Sequence, residues 1–260
     1  MKRRNLFAIA LAALLISTSA LAEDAKARLA KAEAMFQERC KKAGEFIYRT
    51  AENVEGVLLL KIRPSEINRG DQYKMDDPYG RDLTGNGYIE SFLRARNEKG
   101  FLDPGKVGGY RYVDSLDPND GKRYRYTGGM KVVGKKDPST PNHQISIQRN
   151  PNFDLNIYRF LLDRVPAPDP APRYGVTYDD ISTREERDYW IAGSSLKVID
   201  LKTNEVMAER IGYMMDRGQG NTSGGRAPWL LAERTSCPHR PDLHQTRNFV
   251  EKTLHPIQEK

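Results

Sequence analysis

The chain has little cysteine, little histidine and almost nothing apolar enough to cross a membrane. Two cysteines and four histidines stand among 260 residues. The longest apolar run, Leu6 to Ile16, is 11 residues, whereas a helix needs about 20 to span a bilayer. No second long apolar run follows, so the sequence offers no stable membrane anchor. There is no Gly-x-Ser-x-Gly elbow for a nucleophilic serine, and neither an internal repeat nor a low-complexity tail. With so few imidazoles and thiols, a metal centre would have to draw on one narrow region near the C-terminus.

The N-terminal apolar run has the anatomy of a secretory signal. Lys2, Arg3 and Arg4 precede it, and Ala20-Leu21-Ala22 ends it before Glu23-Asp24. Small residues at −3 and −1 place cleavage after Ala22. No cysteine follows, so lipidation at a new N-terminus is excluded. Arg3-Arg4-Asn5-Leu6-Phe7 also fits a loose twin-arginine pattern, but its polar lead is short and ordinary unfolded export is the simpler expectation. The expected organisation is a signal peptide over 1–22 and a single globular domain over 23–260, periplasmic or secreted.

Removal of residues 1–22 takes away three basic residues and lowers the formal charge from +7 to +4, with 39 Lys and Arg against 35 Asp and Glu. That is ordinary solubility charge, and it does not point to nucleic acid. Cys40 and Cys237 both remain. An even cysteine count in an exported chain reads as one disulfide, which would join the two ends of the domain.

Leu29, Ala32, Phe36, Cys40, Ala43 and Ile47 recur every three or four places with charged residues between them. This spacing predicts an amphipathic helix from Glu23 to about Arg49, with Cys40 in its buried stripe. A shorter helical pattern runs from Leu243 to Leu254. Between them, Val57 to Arg63 and Ile157 to Val165 read as strands. Tyr110–Leu116 with Lys122–Tyr126, and Leu196–Leu201 with Val206–Met214, read as hairpins around turn-forming residues. The expectation is an α+β fold with a mostly antiparallel sheet, an N-terminal amphipathic helix and a short C-terminal helix packed on it. Pro166, Pro168, Pro170 and Pro172 form a stiff spacer. It is the one place for an internal boundary, unless the disulfide ties both sides together.

Candidate sites are few. Asp82, Thr84, Asn86, Tyr88 and Glu90 resemble the first nine positions of an EF-hand calcium loop, with Gly87 at the sharp turn. The resemblance implies oxygen ligands at positions 1, 3, 5, 7 and 9, but Leu93 stands where the bidentate Glu belongs. The other reading of the segment is an Asx turn leading into a short helix.

Gly218, Gly220, Gly224 and Arg226 make a glycine-rich loop. Pro228 follows too soon for a dinucleotide-binding helix, so the segment reads as a flexible surface loop where a partner could bind. Cys237, His239 and His244 carry metal-donor types, at the expense of the disulfide. Ser194-Ser195 reads as a turn into the strand beginning at Leu196. Asp179-Asp180 and Glu185-Glu186 could serve acid/base chemistry, although Ser182 to Glu186 also spells a helix N-terminus. Lys122, Arg123, Arg125, Lys131, Lys135 and Lys136, interleaved with Tyr124 and Tyr126, form the most basic stretch.

Three functions stay open. The first is an exported envelope protein that binds a protein partner, of inhibitor, immunity or accessory type. The second is a hydrolase assembled from distant residues such as His239, His244, Asp179 and Asp180. The third is a calcium-dependent or structural envelope protein. No cofactor is required by the first, and no catalytic set assembles from the sequence.

Overall fold

The computed structural model describes residues 24–64, 72–74, 82–96, 102–107, 109–239 and 245–257; at 95, 96 and 102–107 the description is of the backbone. The expected signal peptide lies outside the described residues. The fold is α+β, with one large, mostly antiparallel sheet, an N-terminal helix and a short C-terminal helix.

Helix α1 covers residues 24–40. It stops nine residues before the predicted end because Gly44 breaks the pattern and opens strand β1, Gly44–Ile47. Ala43 and Ile47 satisfy helical spacing, but the backbone there is already turn and strand. Strands β2 (Ala51–Val54) and β3 (Gly56–Leu59) follow. Helix α2 spans Gly85–Leu93. A small ladder pairs β4 (Arg94–Arg96) with β5 (Leu102–Val107).

The two predicted hairpins form. Strand β6 (Tyr112–Leu116) pairs with β7 (Arg123–Lys135) around Gly121, whose φ of +68° suits the turn. Strand β7 runs nine residues beyond the predicted Tyr126. A helix that the sequence reading missed, α3 (Pro141–Arg149), connects it to β8 (Asn156–Pro166). Strand β9 (Tyr174–Asp180), also missed, follows the proline spacer. Helix α4 (Arg184–Asp188) leads into the hairpin of β10 (Ile191–Asp200) and β11 (Glu205–Met215). Ser194 and Ser195 therefore lie inside β10, which begins at Ile191, and not in a turn before Leu196. Helix α5 (Pro228–Ala232), strand β12 (Ser236–Cys237), helix α6 (Gln245–Thr253) and strand β13 (Leu254–Pro256) complete the chain.

The main sheet runs β1-β11-β10-β9-β3-β6-β7-β8, with β12 added on β11. Within this sheet, among the described residues, only β3 pairs in parallel, with β6 on one side and β9 on the other. Strands from both sides of the proline spacer thus belong to one sheet. On one face, α2 and α6 bury Tyr88, Ile89, Phe92, Phe249 and Val250 against Val57, Val113, Val176 and Val198. On the opposite face, α1 sets Ala32 and Phe36 on Ile191, Tyr213 and Met215. Alternation along each strand feeds both layers. None of the described helices is long and apolar enough to cross a membrane.

The disulfide joins Cys40 at the end of α1 to Cys237 in β12, with the Cα atoms 5.6 Å apart. Its loop spans 197 residues of sequence. Arg39, the residue before Cys40, pairs with Glu186 of α4, and two turns earlier Glu33 pairs with Arg217 just after β11. Helix α1 is thereby fastened to the sheet, to α4 and to the segment that follows β11.

Candidate functional site

Asp216 directly follows β11, with its carboxylate fully buried. A buried carboxylate needs donors on both oxygens to offset its lost hydration, and the next ten residues supply them. The Gly218 amide donates to Oδ1 at 3.0 Å and the Gly220 amide to Oδ2 at 2.8 Å. Arg226 returns to donate from Nη1 to Oδ2 at 2.9 Å and from Nη2 to Oδ1. The carboxylate holds the Arg226 guanidinium protonated, raising it above its ordinary value. Nη1 also donates to the Asn221 carbonyl at 2.8 Å.

Two of the glycines are required by close approach. A Cβ on Gly218 would meet the Arg226 guanidinium carbon at 2.5 Å. Gly220 has φ +81°, and a Cβ there would stand 2.3 Å from the Trp190 ring. Trp190 packs on Trp229 of α5, with ring centroids 5.1 Å apart, and the Arg187 guanidinium lies 5.5 Å from the Trp229 ring centroid. Gln219 donates to the Tyr189 carbonyl at 2.9 Å. Asn221, Thr222, Ser223, Gly224 and Gly225 are all exposed, so a fixed base carries an outward-facing tip. The segment read from sequence as a flexible loop is bonded at nearly every turn.

The other predicted residues are placed as follows. Asp82 is buried, and its carboxylate accepts from the Leu83 amide at 2.9 Å, from the Thr246 amide at 3.0 Å and from the Thr246 hydroxyl. Thr84 is the N-cap of α2, and Asn86, Tyr88 and Glu90 lie within that helix. Glu90 pairs with Arg94 at 2.8 Å. The Asp82 carboxylate thus accepts from the amide of the next residue and from Thr246, and from Gly85 onward the segment is helical, which sets Asn86, Tyr88 and Glu90 along a helical spiral.

Asp179 and Asp180 are adjacent on β9 and project to opposite faces, Asp179 toward Lys197 at 3.6 Å and Asp180 toward Arg187 at 3.0 Å. Glu186 completes a capping box with Thr183, while Glu185 pairs with Lys31 of α1. Cys237 is in the disulfide, which removes it from the Cys237-His239-His244 set. His239 is exposed, and His244 lies outside the described residues. No group of three or more metal-donor side chains converges among the described residues. His143 contacts Thr140 and the Asp137 carbonyl, and His255 stands 3.7 Å from Glu52.

In the basic stretch, Tyr126 is in the core with Tyr124 against it, while Arg125 forks onto buried Asp114 at 2.7 and 3.0 Å. Lys131 pairs with Asp163, and Lys136 donates to the Asp154 carbonyl.

No family model, curated protein or solved structure matches this chain.

The loop over 216–226 thus combines a hydrogen-bonded base with an exposed tip. Sequence pointed to its glycines and Arg226 but not to Asp216. The signal that could have found it is an acid at the end of an apolar strand, followed by Gly-x-Gly and an arginine ten residues on.

Proposed function

We propose that this chain is an exported protein of the bacterial envelope that binds a protein partner through the loop over 218–226, in an inhibitor, immunity or accessory role. Cleavage after Ala22 would release it, and a disulfide that closes nearly the whole domain suits an oxidising compartment.

The observation that carries the binding assignment is the Asp216–Arg226 keystone beneath five exposed tip residues. Ordering a loop on binding costs conformational entropy, and a loop already held by its own hydrogen bonds avoids most of that loss. Small, polar tip residues supply backbone and side-chain hydrogen bonds without bulk. Binding residues favour such loops on a rigid scaffold.

The test is affinity recovery from an envelope extract at native expression, comparing the natural protein with Thr222→Arg. The proposal expects one protein recovered by the first and lost with the second, at unchanged melting temperature. Equal recovery by both, or no specific protein with either, contradicts it.

A further inference from the structure

Strand β8 is the last strand of the sheet, and β7 is its one hydrogen-bonded neighbour among the described residues. It is 11 residues long and regular; the bulge in this ladder falls in β7, at Val133. Long, regular edges are normally blunted, because their unpaired amides and carbonyls invite another strand. One face of β8 presents Ile157, Arg159, Leu161, Asp163 and Val165, all exposed.

We propose that β8 pairs antiparallel with the β8 of a second copy of this chain, about a two-fold axis through Leu161. The order of residues is self-complementary about that point. Leu161 meets its own counterpart, Arg159 lies opposite Asp163 of the second copy, and Ile157 lies opposite Val165. On the other face Tyr158 comes opposite Arg164. These four pairs join apolar to apolar, acid to base or ring to cation, the combinations that stabilise cross-strand contacts.

Register is specific. Moving the axis to Phe160 sets Arg159 against Leu161 and Asp163 against Ile157. Moving it to Leu162 sets Arg159 against Val165 and Asp163 against Leu161. Only the Leu161 axis matches both charges and both apolar flanks, and an isologous interface of this kind closes on itself as a dimer.

Arg159 supplies the second argument. Within one copy its directly opposite neighbour on β7 is Lys131, a like charge where an opposite one is favoured. Lys131 leans diagonally to Asp163, with Nζ 3.2 Å from Oδ1. No described group pairs with the Arg159 guanidinium. A second copy would bring a carboxylate to the cation that its own strand partner repels, and the half-exposed Asp163 has room for two cations.

The test is sedimentation velocity of the purified, disulfide-bonded protein over a concentration series reaching about 0.1 mM. A reversible dimer is expected. Arg159→Asp and Asp163→Arg should each weaken it at least about tenfold, because the two-fold axis repeats each charge clash. The double variant Arg159→Asp/Asp163→Arg should restore it. Both positions are exposed, so circular dichroism should show the natural fold, and Leu161→Cys should cross-link two copies at the axis without disturbing either charge. A monomer throughout the series, a dimer indifferent to both reversals, or a double variant no better than the singles overturns the proposal.

Discussion

Arg226 folds back across Gly218 to place two guanidinium nitrogens on the buried Asp216 carboxylate ten residues earlier. The pair is the loop's anchor, and the two glycine amides complete it. Asp216→Ala should cost about 3 kcal/mol, because it strands a partly buried guanidinium and two amide donors together. Urea denaturation should show a lower midpoint, and amide exchange should quicken over 218–226 before it changes elsewhere in the sheet.

Gly220 and Gly224 both have positive φ, +81° and +68°, but only Gly220 faces a ring; nothing lies within 4 Å of a Cβ on Gly224. Gly224→Ala should cost about 1 kcal/mol for backbone strain alone. Gly220→Ala adds a clash with Trp190 and should cost about 2–4 kcal/mol. Thermal melting of both variants ranks the two effects. Equal losses would mean that the tryptophan yields without penalty.

Asp200 is held down to about 2 by Arg173, then by the Lys202 amide, with Arg49 also contributing. Its carboxyl titrates near 4 in an unfolded chain, so the folded state prefers the ionised form. That preference contributes stability in full above pH 4 and loses it as the pH falls from 4 to about 2. In Asp200→Asn the stability against pH curve should be flatter across that window. A parallel curve in the variant would place the acid sensitivity elsewhere.

The disulfide closes a loop long enough for chain entropy to contribute up to about 5 kcal/mol. Cys40→Ala/Cys237→Ala should therefore lower the urea midpoint more than any single-residue change to the loop over 216–226. Reduction of the natural protein should do the same, with α1 losing amide protection first, since Cys40 lies at its end.

The parts of this fold that are legible in sequence are those whose determinants are local. Asp117 to Gly121 spells a turn, and the strands on either side pair as that turn requires. Thr183 and Glu186 spell a capping box, and it forms. Cys40 and Cys237 find one another because no other thiol competes. Long-range determinants are harder to read. Ala43 and Ile47 continue the helical spacing of α1, yet Gly44 and the pairing of Phe46 with Glu209 on β11 override it. Strand β9 alternates Val176 and Tyr178 into the core, but only seven residues carry that pattern, directly after the prolines. Asp216 looked like any acid after a strand. Its role depends on the Gly218 and Gly220 amides and on Arg226 returning to it from ten residues away, which periodicity does not encode. Asp82 matched a calcium-loop position, although its carboxylate serves Thr246 on a helix 164 residues away.

The most direct measurement is site-specific photo-crosslinking in the native cell, with the reactive side chain at Thr222 on the loop tip or, as a control, at Thr203 in the β10–β11 turn. One discrete adduct is expected from position 222, absent from 203 and lost when Arg226→Ala frees the loop from Asp216. No adduct at 222, or the same adduct from both positions, would contradict it.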